Sequence, residues 1–110
     1  MFKDSVINNK KKTEFEKKHR KKILQLRNRF LGEWASSILG LKESHFKNYI
    51  NIVTNKSFIK DDYSIMVKQI ESDFKDNNIK ISFSEIELKL KEFQIKANVI
   101  MENKLKLDSF

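Results

Sequence analysis

The chain has 110 residues, 39% of them hydrophobic and 35% charged, and carries a net charge of +8. That is the length of one domain, with enough apolar material for one modest core. The absence of cysteine and proline and the presence of only two glycines, Gly32 and Gly40, exclude disulfides and thiolate metal sites. They also argue against a turn-rich all-β fold, which needs Gly and Pro at its turns.

The charge is unevenly placed. Residues Met1 to Phe30 hold 11 Lys/Arg and 3 Asp/Glu, whereas Leu31 to Phe110 hold 12 of each. From Asn8 to Lys22 the only large apolar residue is Phe15. A helix there has no stripe to dock and is marginal in isolation, so residues 1–22 read as a basic arm, disordered or frayed when free.

The apolar pattern begins at Ile23. Ile23, Leu26, Phe30, Leu31, Trp34, Ala35 and Ile38 recur at spacings of three and four, the mark of one helical face. Gly40 is a natural stop, with Leu41 placed to make the accompanying hydrophobic contact. Gly32, inside the helix, costs about 1 kcal/mol relative to Ala; its expected use is to let a neighbouring helix approach closely, with a kink the second choice. Ser44 is the candidate N-cap of the second helix, whose stripe is Phe46, Tyr49, Ile50 and Val53. Asp61 and Asp62 put negative charge at the start of the third, striped by Tyr63, Met66, Val67, Ile70 and Phe74 and closed by Asn77 and Asn78.

The fourth helix has the best start signal. Ser82 with Glu85 forms a capping box and Ile81 with Ile86 the matching staple; Ser84 with Glu87 fits the same template two residues later. Ile86, Leu90, Phe93, Ala97 and Ile100 then form a packing seam, and the chain frays from about Leu105. The expected fold is all-α: a four-helix bundle-like body (residues 23–110, helices near 23–39, 45–55, 62–76 and 83–104) with a long first helix and a flexible basic N-terminal arm. The apolar-faced part of that helix is about 25 Å long, within a body about 34 Å across, so the basic part projects beyond it.

No catalytic constellation emerges. His19 and His45 have no partners at metal-site or triad spacing, and the glycines form no phosphate loop. The chain therefore reads as a non-enzyme with no cofactor and no metal. No apolar run approaches the length of a membrane span. A basic arm invites nucleic acid, through Lys10, Lys11, Lys12, Lys17, Lys18, Arg20, Lys21, Lys22, Arg27 and Arg29. It offers only Phe15 for stacking on bases and no recognised reading motif. An acidic or mixed cleft on a protein partner is equally compatible.

The segment Arg27-Asn28-Arg29-Phe30-Leu31-Gly32-Glu33-Trp34-Ala35, followed by Ile38-Leu39-Gly40, tips that balance. It closely resembles the signature of the zeta-subunit family of ATPase inhibitors in alphaproteobacterial F-type ATP synthases. Looser similarity continues through Tyr49, Val53, Phe58, Asp61-Asp62, Met66-Val67, Ile86 and Leu90. It covers roughly Lys22 to the C-terminus.

The resemblance implies a cytoplasmic regulatory subunit, peripheral to the inner membrane through ATP synthase. Its arm would enter an interface between alpha and beta subunits, fold as it binds, and meet the rotating central shaft formed by gamma. Hydrolysis is then blocked while synthesis proceeds. In this chain the arm residues similar in type are Glu14, Phe15, Glu16, Lys17, Lys18, His19 and Lys22; the arm is richer in lysine than the family's. The signature residues carried over are Arg27, Asn28, Arg29, Leu31, Gly32, Glu33 and Trp34. Trp34 reads as core, whereas Arg27 and Arg29 are open between exposed helix charges and contacts to the synthase. The alternatives are a small basic helical nucleic-acid-binding module, with nucleic acid the less favoured partner, and a subunit that associates with the synthase without inhibiting it.

Overall fold

Four apolar stripes at helical spacing, joined by short connections, become four helices in this structure, a computed structural model. It describes the backbone of residues 2–55, 59–60 and 62–108 and the side chains of 13–55, 59–60 and 62–107. Phe58, Asp61 and the side chains of Lys10, Lys11 and Lys12 lie outside the described residues. The elements are α1 (Phe2–Ile38), α2 (Glu43–Val53), α3 (Ser64–Asp76) and α4 (Phe83–Asp108). No strand occurs among the described residues. Helix α1 packs against both α2 and α4, and α3 packs against α4.

The core forms where all four helices meet. Leu31 and Ala35 of α1, Val53 of α2, Met66, Val67, Ile70 and Phe74 of α3, and Ile86 and Leu90 of α4 make one buried cluster. Trp34 packs against it, edge-on to Phe74 with ring centroids 5.7 Å apart. The α4 seam is buried through Ile86, Leu90 and Ala97, but Ile100 is 39% exposed, as is Ile38 of α1. In their place Leu24 is buried. A helix periodicity of 3.6 drifts across a long stripe, so its ends rotate away from the core.

Two helix ends use the same device. At the end of α1, Gly40 takes φ +73°; its N–H donates to the Ser37 carbonyl and that of Leu41 to Ser36. At the end of α3, Asn78 takes φ +59°, its N–H donates to Lys75 and that of Ile79 to Phe74. Both are Schellman motifs, which satisfy otherwise orphaned terminal carbonyls.

Helix starts differ more from expectation. Helix α2 begins at Glu43, directly after the Gly40–Leu41 turn, and its N-cap is Lys42 with no side-chain capping bond, not Ser44. Glu43 itself carries a positive φ of 54°. The connection is too short to place Ser44 outside the helix. Helix α3 starts at Ser64, with the Ser64 N–H donating to Asp62 Oδ1 at 3.0 Å. Hydrogen bonding from the Ser64 side chain first, and then from its backbone N–H, holds the Asp62 carboxyl below its ordinary pKa. Of the two overlapping templates for α4 the first is used: the Glu85 N–H donates to Ser82 Oγ at 3.2 Å. The Phe83 N–H donates to Glu71 Oε2 of α3 at 2.7 Å, so a neighbouring helix satisfies another orphan donor.

The molecule measures 62 × 28 × 23 Å, far from a sphere. Helix α1 alone is about 55 Å long at 1.5 Å per residue. Helix α4 runs through Leu105, where fraying was expected, to Asp108. It stays antiparallel to α1: Phe30 meets Phe93 with the rings tilted at 46°, Arg27 reaches Gln94, and Phe15 shares a cleft with Met101 and Leu105. One end of the molecule is thus a four-helix body, and the other a two-helix stalk.

Candidate functional site: the basic stalk and the segment that anchors it

The sequence points to two stretches of α1, and the structure gives them opposite environments. Consider first Arg27 to Ala35. Arg27 is 2% exposed and Asn28 fully buried. The Arg27 guanidinium donates from Nε to Asn28 Oδ1 (3.0 Å), from Nη1 to Gln94 Oε1 (3.3 Å) and from Nη2 to the Lys60 carbonyl (3.1 Å). It lies 6.0 Å from the Tyr63 ring centroid. One side chain therefore ties α1 to α4 and to the connection between α2 and α3. A planar fork of five donors suits such a junction, where a lysine would not. Arg27 is not an exposed helix charge. Arg29, two residues on, is exposed and pairs with Glu33 at 3.1 Å.

Gly32 is a contact point. A Cβ added there would lie 2.5 Å from Val53 Cγ2 and 3.5 Å from Ile50 Cα, so α2 sits directly on α1. Leu31 and Ala35 are fully buried and Trp34 packs on the core. Of this stretch, only Arg29 and Glu33 present charge outward, beside a surface groove between α1 and α2 lined also by Phe46, Lys47 and Ile50. The rest of the stretch holds the body together.

Two tyrosines complete that assembly. Tyr49 donates its hydroxyl to Asp73 Oδ2 (2.9 Å), and Tyr63 donates to Glu87 Oε2 (2.9 Å). Burial first, then the Asp73 hydrogen bond, pushes the Tyr49 hydroxyl far above the ordinary tyrosine range. The hydrogen bond to Glu87 raises that of Tyr63. Their spacing places both on apolar stripes, whereas each also carries a polar link to the next helix.

The stalk has the reverse character. Glu14, Phe15, Glu16, Lys17, Lys18 and Lys22 are exposed and His19 is half-buried. Phe15 is 55% exposed and lies parallel to the His19 ring, centroids 5.9 Å apart. Phe15, Lys18, His19 and Lys22 come together along one cleft, whose other wall is Met101, Lys104 and Leu105 of α4. Glu16 and Lys17 line a separate depression with Thr13, Arg20 and Ile23. Glu14 joins neither. The α4 wall was missed because the seam was followed only to Ile100; Ala97, Met101 and Leu105 continue it at spacings of four.

Among the described residues no group of three or more His, Cys, Asp or Glu could hold a metal, and no helix is long and apolar enough to cross a membrane. What the stalk can do chemically is present positive charge and exposed apolar surface to a partner.

Comparison with known proteins places this arrangement. No curated protein and no solved structure matches the chain. A family model, that of ATPase inhibitor subunit zeta, matches residues 5–99. The match enters the basic arm, further toward the N-terminus than the Lys22 boundary of the resemblance, and stops short of the α4 turns that wall the cleft. It spans the buried Arg27–Ala35 segment and most of the four-helix body, and on that ground the chain belongs to the ATPase inhibitor subunit zeta family.

Proposed function

We propose that this chain is a regulatory subunit that inhibits ATP hydrolysis by F-type ATP synthase. In this reading residues 23–110 anchor and position, and residues 1–22 obstruct, entering an interface between alpha and beta subunits against the gamma shaft. The observation that carries it is the family match, which takes in the arm as well as the body. The division of charge supports the same roles: the net +8 lies entirely within the first thirty residues, while the signature residues other than the outward-facing Arg29 and Glu33 are occupied with internal packing. Family membership carries the association with ATP synthase; the arm mechanism is our reading of this chain's asymmetry. It makes the protein a peripheral regulator rather than an enzyme. An arm that orders as it binds gives up part of its interaction energy, which favours reversible inhibition.

The test compares the full chain with one lacking Met1 to Lys22, each added to the ATP synthase of the same organism. The full chain should slow ATP hydrolysis, and the shortened one should bind without slowing it. Equal inhibition by both would exclude the arm as the obstructing element.

A further inference from the structure

The last turns of α4 take no part in the reading above, and they lie beyond the family match, which ends at residue 99. They do not fray into solvent. Met101, Lys104 and Leu105 wall the cleft whose other side is Phe15, Lys18, His19 and Lys22 of α1. Three lysines and a histidine line this cleft together with the apolar Phe15, Met101 and Leu105, and among the described residues no carboxylate lines it.

The surroundings share its sign. Residues 13–22 hold five cations against two carboxylates, and residues 101–107 two against one. Phe15 and Leu107, 55% and 74% exposed, add apolar surface to the same stalk. An isolated helix with the arm's composition is marginal. A second helix alongside it lowers the ordering cost that the arm would otherwise meet on binding.

Building on the proposed association with ATP synthase, we infer that the contacting surface is not the arm alone but this two-helix cleft. It takes an acidic, amphipathic protein segment of the synthase. Carboxylates of that segment meet Lys18, Lys22 and Lys104, and its apolar side chains cover Phe15, Met101 and Leu105. A nucleic-acid backbone would use the cations but leave the apolar side chains uncovered. It would also find the Phe15 and His19 rings of the cleft already stacked on each other, with one face of each taken.

Lys104 decides the matter because it belongs to neither the arm nor the family match. Lys106 is its control: it shares the outward face of α4 with exposed Ile95 and Val99, at helical spacing, and lies outside the cleft. Full-length wild type, Lys104→Glu and Lys106→Glu chains are labelled and titrated against purified ATP synthase at low and high salt, with hydrolysis read in parallel. Both lysines are exposed, so all three chains should melt alike.

Lys104→Glu should weaken binding about tenfold at low salt, less at high salt, while Lys106→Glu changes it less than about twofold. No loss in Lys104→Glu, or equal losses in both, overturns the inference. Wild type that binds without slowing hydrolysis removes the inhibitory reading, and the ratio between the variants still judges the cleft. Wild type that does not bind the synthase overturns both. Tighter, Lys104-dependent binding to a single-stranded RNA than to the synthase would replace the acidic segment with nucleic acid.

Discussion

The two ends of α1 belong to one continuous helix and live under different physics. Around Leu31 four helices converge, buried side chains carry the stability, and even a guanidinium is enclosed and fully employed. Around Phe15 two helices meet, most side chains face water, and like charges are gathered without a neutralising carboxylate in the cleft among the described residues. Stability is concentrated where the helix is surrounded, and unspent interaction capacity where it is not. The segment Arg27–Ala35 that carries the resemblance lies mostly at the buried end, so it reports the fold. The arm is similar only in residue type, and the C-terminal wall of the cleft lies beyond the family match.

The same substitution at the two ends should expose this most sharply. Phe74 is the largest fully buried side chain; Phe74→Ala should cost about 3–5 kcal/mol through lost burial and an unfilled cavity. Phe15→Ala, at a half-exposed stalk position, should cost less than about 0.5 kcal/mol yet weaken inhibition. Thermal melts and hydrolysis assays on the two variants would break the comparison if both losses proved equal.

The arginines give the next contrast. Arg27→Ala removes the Arg27 donor from the fully buried Asn28 and from the part-buried Gln94 and Lys60 carbonyl and should destabilise by about 2–4 kcal/mol. Arg27→Lys should recover little, because a point charge cannot serve three directions. Arg29→Ala breaks only an exposed pair and should stay within about 0.5 kcal/mol. Urea unfolding midpoints would show the ranking.

Glycine substitutions should act through different causes. Gly32→Ala drives a methyl into Val53 and should cost about 1–3 kcal/mol by forcing α2 away from α1. Gly40→Ala meets no atom within 4 Å but must hold φ +73°, a penalty of about 1 kcal/mol. In the double variant Gly32→Ala/Val53→Ala the first cost should shrink relative to the sum of the singles, while Gly40→Ala should be indifferent to Val53.

The smallest expected effect is alkaline. The Tyr49 hydroxyl titrates higher folded than unfolded, where its pKa is 10.0. The folded state therefore keeps its proton while the unfolded state loses it. The stabilisation is complete below pH 10 and is lost as pH rises above it. Tyr49→Phe should flatten part of the fall in stability above pH 10 and leave the stalk's activity at neutral pH unchanged. An unaltered alkaline slope would discount the Asp73 bond.

The helical stripes, the stops at Gly40 and Asn78 and a capped start at Ser82 or Ser84 were legible because each rests on a few neighbouring residues. So was the close approach at Gly32, since a helix tolerates glycine's cost only with something to gain. The start of α2 was misread because the tight turn at Gly40 overrode the preference of Ser44. Arg27 was left open because burial of a charge depends on acceptors at Lys60 and Gln94, distant in sequence. Met101 and Leu105 were passed over because helical spacing marks a face without showing what covers it.

Local chemistry and periodicity, by themselves, determined four helices, their stops and the division between a charged end and a balanced one. Each of these is settled within a turn or two of chain. Only the tertiary structure decided that α4 continues along the basic part of α1, that Arg27 faces inward while Arg29 faces out, and that a cationic cleft lined also by apolar side chains lies between the helices. Those outcomes depend on which surfaces meet across intervals as long as Phe15 to Leu105, and such meetings follow from the packing of the whole core rather than from any one segment.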